Sequence, residues 1–297
     1  MKLLDGKVAI VTGGGRGVGR AEALSLAAHG ARVVVNATSG SADEVANEIV
    51  DQGGEAIAVR ASVADYDDAG RLVDAALRHF GRLDILVNNA GTSLQKLLHE
   101  IEPAEWQALM AINLNGHFFT TQHAAKPMMA QRSGRIINTC AGSWRNPTGN
   151  LAYGVSKAGI VTFTWGVAWE LRGYGITCNA IAPFGKTQLT ERSAQAYERL
   201  IEAGVVPAGK NAHLADFPGP EFAAPIVTYL ASDRAADITG LVIRTGGGKL
   251  SVYTHPEERN LILKPVVEGA WTMEELIERV PSDLLRGVTP WWSEDTY

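Results

Sequence analysis

Tyr153 and Lys157 stand four residues apart in the run Tyr153-Gly154-Val155-Ser156-Lys157. On a helix this spacing puts both on one face, with Cβ atoms about 5–6 Å apart, so a phenol and an ammonium can serve one small site. A phenol of ordinary pKa, about 10, is a poor proton donor or acceptor at neutral pH unless a nearby cation favours its anion. Lysine is such a cation. Bringing the phenol to pH 7 takes about 3 units, or about 4 kcal/mol, within reach of one adjacent charge in a partly dry pocket. The spacing alone arises by chance in many helices, so the elements around the pair must say what it does.

Those elements begin with Val8-Ala9-Ile10-Val11, a continuous apolar run of the kind expected of a parallel strand covered on both faces. It leads into Thr12-Gly13-Gly14-Gly15-Arg16-Gly17-Val18-Gly19 and then a helical run, so the glycines occupy a strand-to-helix turn. Residues without a Cβ let the backbone approach a pyrophosphate closely, and the helix start offers free N–H groups and a positive dipole end. The position of the turn points to a dinucleotide. Residues 32–37 read as the second strand. An Asp or Glu at its tip would bond an adenosine ribose and repel a 2′-phosphate. Asn36, Ala37, Thr38 and Ser39 stand there instead, and Arg16 lies in the preceding turn. These favour NADP(H), with NAD(H) as the second option.

Helices at 41–52 and 65–80, and strands at 56–60 and 83–87, continue the alternation, and Asn88-Asn89-Ala90-Gly91 ends the fourth strand. A long helical stretch at 103–131 contains Asn113, a residue that prefers caps to helix interiors, and reads either as a kink or as a polar group facing the site. A fifth strand at 134–140 precedes an irregular loop through Pro147 and Gly149, then the Tyr153 helix, which is apolar on two faces. One face should meet the sheet and the other a partner subunit or the chain's own tail. Residues 177–182 form a sixth strand ending in Pro183, residues 187–218 have the composition of a mobile helical lid, and 242–245 is the last strand before Gly246-Gly247-Gly248 ends the sheet. The expected architecture is a doubly wound α/β parallel sheet in one domain, 1–248. Residues 249–297 are expected to be an extension packing on that domain or on a neighbouring subunit. In it Thr272 and Glu275 make a capping box for a short helix, and Trp271, Trp291 and Trp292 add apolar area.

The 297 residues are 46% hydrophobic and 20% charged with a formal net charge of -5, which excludes disorder and gives no basic footprint for nucleic acid or an anionic membrane. The polar amino terminus shows neither signal peptide nor membrane span, and a cytoplasmic location is expected. Cys140 and Cys178 sit in apolar strand-like runs, as reduced thiols do, and the seven histidines show no ligand spacing, so no metal is implied.

From Lys7 to about Gly248 the chain resembles the short-chain dehydrogenase/reductase family, which has a Rossmann fold. The matching marks are the Thr12–Gly19 turn, Asn88 to Gly91, Asn113, Tyr153 with Lys157, and Asn179 to Pro183 followed by Thr187. The resemblance implies hydride transfer between a nicotinamide and a ketone or secondary alcohol, with Tyr153 as general acid/base. It implies that Lys157 holds the nicotinamide ribose and lowers the phenol pKa, and that Asn113 anchors a proton-relaying water. It also implies that Pro183 and Thr187 meet the nicotinamide end, while Gly13, Arg16, Gly17, Val18, Gly19, Thr38, Ser62, Val63, Asn89, Ala90 and Gly91 contact the rest of the cofactor. A homo-oligomer, tetramer or dimer, is also implied. The stretch 183–190 and the long tail are similar to bacterial relatives of the dehydrogenase part of peroxisomal multifunctional enzymes, which act on hydroxyacyl thioesters.

One departure touches the chemistry. Relatives usually place a carbonyl-polarising serine thirteen residues before the tyrosine, where this chain has Cys140; counting along the strand gives Ala141 instead. Ser143, reached by a rearranged loop, is the expected fourth catalytic residue; the Cys140 thiol and complete absence are the alternatives. That irregularity also motivates a rival reading, a nucleotide-binding interaction or regulatory protein without turnover.

Overall fold

The computed structural model describes residues 2–145, 149–206 and 218–288. Trp291, Trp292, Pro147 and residues 207–217 of the expected lid lie outside them. In chain order the elements are β1 (Val8–Val11), α1 (Gly17–Ala28), β2 (Arg32–Ala37), α2 (Ser41–Asp51), β3 (Ala56–Arg60), α3 (Tyr66–Phe80), β4 (Ile85–Asn88), α4 (Pro103–Met110), α5 (Gly116–Gln131), β5 (Gly134–Thr139) and α6 (Leu151–Leu171). β6 (Ile176–Pro183), α7 (Gln188–Glu202), α8 (Ala224–Ala231), β7 (Val242–Gly246), β8 (Lys249–Tyr253) and α9 (Met273–Arg279) complete them.

The strands make one sheet in the order β3-β2-β1-β4-β5-β6-β7-β8, parallel throughout except for the antiparallel β7–β8 pair. Strands β1 and β4 are buried along their whole length, which is why they read as apolar runs rather than alternating ones. One apolar cluster joins α1, α2 and α8 to one face of the sheet, and a second joins α3, α5 and α6 to the other. Connections run outward from β1 to β3 and then, from β4, the other way. The crevice at the carboxyl ends of β1 and β4 is therefore the switch point where ligands bind in such sheets.

Local signals set the ends of these elements. Asp65 caps α3 by accepting from the Asp68 N–H, and Gly81 closes it in the left-handed region at φ 78°. Thr187 caps α7 through the Thr190 N–H.

One expectation is corrected. The sheet does not stop at Gly246-Gly247-Gly248: Gly246 ends β7, Gly247 and Gly248 turn with positive φ, and β8 returns beside β7. The stretch 103–131 is helical from end to end as expected, with α4 and α5 joined by a π-helical segment, Ala111–Asn115, which contains Asn113.

Residues 1–253 form one compact unit and 254–297 another. In the second, Thr272 caps α9 with Glu275 as the sequence implies, and Trp271 carries Lys264 and Arg279 over its ring at 5.8 and 5.4 Å.

Candidate active site

The crevice between β1 and β4 is held narrow from both sides. Thr12 Oγ1 accepts the N–H groups of Asn89 and Ala90 at 3.0 and 3.1 Å, and Asn89 Nδ2 donates to the carbonyls of Thr12 and Gly13 at 2.9 and 3.2 Å. Glycine is required where these segments meet. Gly13 has φ 62°, and a Cβ on it would lie 2.9 Å from Ala90 Cα. A Cβ on Gly19 would lie 2.3 Å from Asn89 Nδ2 and 2.5 Å from the Gly13 carbonyl. The backbone thus comes to the floor of the crevice with no side chain in the way, leaving a cradle that fits a pyrophosphate.

A cavity of about 720 Å³ runs from this turn to Tyr153, within the range of roughly 300–1,000 Å³ usual for cofactor and ligand sites. Gly13, Arg16, Gly17 and Val18 line one end, Thr38, Ser62 and Val63 the tips of β2 and β3, and Asn89, Ala90 and Gly91 the middle. Pro183, Thr187, Tyr153 and Lys157 complete the wall, with Thr187 reaching back to the turn, where a Cβ on Gly17 would lie 3.5 Å from its Cγ2. Lys157 Nζ lies 5.4 Å from the centre of the Tyr153 ring and donates to the Thr139 carbonyl at 2.8 Å, so the lysine is anchored to the end of β5.

A short chain dehydrogenase family model matches residues 7–198. The chain is 43% identical over 255 residues to a 3-oxoacyl-[acyl-carrier-protein] reductase of Synechocystis, covering 84% of this chain and 98% of that one. It is 36% identical over 268 residues to a hydroxyacyl-CoA dehydrogenase of Mycobacterium tuberculosis, covering 85% and 81%. A short chain dehydrogenase from Mycobacterium avium superposes with a TM-score of 0.81 at 37% identity over 97% of each chain. The chain is a short-chain dehydrogenase. It is thus an oxidoreductase acting on CH–OH groups, built on the Rossmann-like sheet described above.

Three of the residues expected in the dehydrogenase site are not on the cavity wall. Gly19 lies beneath the turn, where contact with Asn89 leaves no room for a side chain. Asn113 is fully buried with its amide in use: Oδ1 accepts the Thr92 N–H at 2.8 Å, and Nδ2 donates to the Thr92 carbonyl at 2.9 Å and to Ser156 Oγ at 3.0 Å. It therefore cross-links the loop after β4 to the Tyr153 helix. Ser143 sits in the single 3₁₀ turn Gly142–Trp144, its Oγ buried without a hydrogen-bond partner. The turn starts directly after Ala141 and carries the hydroxyl off the wall; the end of β5 presents Thr139, Cys140 and Ala141 instead.

The electrostatics also depart from the expected pattern. Burial pushes the Tyr153 phenol well above its ordinary pKa, with Cys140 and Tyr197 adding to the shift. Burial pulls Lys157 down to about 8 and pushes the Cys140 thiol up to about 12. Desolvation is the largest cause of the phenol's shift.

Ser39, Ser41, Thr92, Ile112 and Leu189 also line the cavity. Ser41 had no signal in the sequence; only in the fold does it meet the turn, where a Cβ on Gly15 would lie 2.2 Å from its Oγ. Among the described residues, no helix is long and apolar enough to cross a membrane, and no three His, Cys, Asp or Glu side chains converge as metal ligands.

Proposed function

We propose that this dehydrogenase reduces a ketone to a secondary alcohol with NADP(H), Tyr153 serving as general acid, and that its substrates are 3-oxoacyl thioesters. The observation that carries the reading is the single cavity joining the glycine turn to the Tyr153–Lys157 pair. The substrate class is supported by two relatives named for the same kind of acyl thioester, one as a reductase and one as a dehydrogenase. Bound there, the nicotinamide supplies the hydride.

Gly13, Gly17, Val18 and Gly19 form the turn for the diphosphate, Ser62 and Val63 meet the adenine, and Asn89, Ala90 and Gly91 face the riboses. Pro183 and Thr187 take the nicotinamide end. Tyr153 holds the proton that the carbonyl oxygen acquires. A phenol kept protonated by burial suits this direction, whereas alcohol oxidation would need it ionised. Lys157 stands by the phenol to stabilise the anion left behind, and Asn113 holds the Thr92 loop and the Tyr153 helix in register.

The cofactor preference rests on charge. No Asp or Glu stands at the tip of β2, and the one carboxylate on the cavity wall among the described residues, Glu191, belongs to α7. Arg16, exposed and bonded only weakly to Gln188 at 3.3 Å, is free to turn to a 2′-phosphate beside Thr38 and Ser39. Hydrogen bonds to charged groups contribute about 1.5–3 kcal/mol, so Arg16→Ala should raise the KM for NADPH by about 10- to 100-fold and leave that for NADH within about threefold. Steady-state kinetics of the purified protein with both cofactors and a short-chain 3-oxoacyl thioester checks this. Tight cofactor binding with no turnover on any ketone or alcohol would instead favour a nucleotide-binding regulatory role.

Val155 and Trp169 on α6 and Phe118 on α5 are exposed apolar side chains on helices beside the site, which supports a homo-oligomer. A monomer mass by light scattering would exclude it.

A further inference from the structure

One buried titratable side chain close to Lys157 has no part in the mechanism above. His117 lies one helical turn after Asn113 and is 2% exposed. Its imidazole faces the main-chain carbonyls of Asn113 and Asn88, while Nε2 is buried with no hydrogen-bond partner. Burial, reinforced by the Lys157 ammonium, lowers its pKa to about 3, so the ring is neutral. A neutral imidazole has one N–H and one lone pair; carbonyls can only accept, so the lone pair is what remains unmet.

The surroundings supply a donor. Lys157 Nζ spends one N–H on the Thr139 carbonyl, leaving two. Lys157 and the segment leading into α5 meet across Gly91, where a Cβ would lie 3.4 Å from Asn113 Oδ1 and 3.6 Å from Lys157 Nζ. Just before His117 the helix is π-helical over Ala111–Asn115, the Gly116 N–H reaching back five residues to the Ala111 carbonyl, a departure often found at functional sites.

We propose that His117 is a positioning residue for Lys157, its imidazole lone pair accepting from a buried water that itself accepts from the Lys157 ammonium. Buried waters make two to four such bonds and are costly to remove. The arrangement solvates the ammonium from behind and holds it beside the Tyr153 phenol. Lys157 lies 5.4 Å from the centre of the Tyr153 ring on its own helix and interacts electrostatically with Cys140 from the end of β5 and His117 from α5, while Cys140 and Tyr197 of α7 act on Tyr153. None of these is a carboxylate, so the lysine depends on neutral acceptors to stay charged.

This inference rests on the reading of Tyr153 and Lys157 as the proton-transfer pair, and the test separates the two. The pH dependence of kcat with NADPH and a ketone substrate is compared for the parent, His117→Phe and His117→Gln, alongside NADPH affinity and thermal unfolding. Phe removes the acceptor, so Lys157 loses its proton more easily. The basic limb of the profile should move down by about one unit, lowering kcat about tenfold on that limb, with NADPH affinity within about twofold of the parent. Gln, which can accept, should return the limb to within about half a unit. If Phe prevents folding, His117→Met against His117→Gln reads the same limb, since the thioether accepts only weakly and the Gln carbonyl strongly. Folded Phe or Met variants whose profiles superimpose on the parent's overturn the proposal. If Tyr153→Phe also turns over normally, the underlying reading has failed as well; if Tyr153→Phe is inactive, the failure is confined to His117.

Discussion

Replacing Tyr153 by Phe is expected to lower turnover by about 10²- to 10⁴-fold, about 3–5 kcal/mol in the barrier, with NADPH affinity within about twofold of the parent. The substitution removes one oxygen and leaves the ring, so the packing of α6 against the end of β5 is kept. What disappears is the proton that must reach the carbonyl oxygen as its carbon is reduced. Burial holds the phenol protonated through neutral pH, so the parent needs no prior protonation step. The nearby ammonium is a different matter. Lys157, drawn down to about 8 by burial, is cationic only below that value. Parental turnover should therefore fall as pH rises through about 8, whereas the residual rate of Tyr153→Phe should lack that limb. Turnover of Tyr153→Phe within threefold of the parent would remove the phenol from the chemistry and with it the assignment of Lys157.

The frame of this site was legible because it depends on local chemistry. Val8 to Val11 reads as a strand since β1 is buried along its whole length, and the glycines after it read as a turn since three close approaches forbid a Cβ. Features set by distant partners were not legible. The π-helical segment at Asn113 goes with hydrogen bonds to Thr92, 21 residues earlier, and to Ser156, 43 residues later. β8 is exposed over Lys249 to Val252 and follows three glycines that read as the end of the sheet; only pairing with β7 defines it. Ser143 was misplaced because its direction depends on where β5 stops and how the next turn winds, and no residue type marks either. The phenol's shift was misjudged for another reason: spacing shows that Lys157 is near, while burial, the larger effect, shows only in three dimensions.

Burial of the same kind, without a partner, singles out Glu22. It lies one turn beyond Gly19 on α1 and is fully buried, and neither carboxyl oxygen has a hydrogen-bond partner. Desolvation raises its pKa from 4.5 to about 8. A carboxyl that binds its proton more tightly in the folded state adds no ionisation cost at low pH, and it destabilises the fold progressively as pH rises from its unfolded value to its folded one. Across that interval of about 3.5 units the loss amounts to about 5 kcal/mol, a large share of a typical domain's 5–15 kcal/mol. Glu22→Gln cannot ionise, so it should escape this loss. Relative to the parent it should be about as stable at pH 5 and more stable at pH 9, with a melting temperature higher by about 10 °C at the alkaline end, taking about 2–4 °C per kcal/mol for a domain of this size. Glu22→Met, which also removes the unpaired polar atoms, should stabilise the fold at both ends of the range. Because every other titrating group is common to parent and variants, the difference between their melting curves isolates Glu22. Curves for the parent and Glu22→Gln that stay parallel from pH 5 to pH 9 would mean that the carboxyl is solvated or paired in the folded protein, and that α1 tolerates its charge beneath the glycine turn.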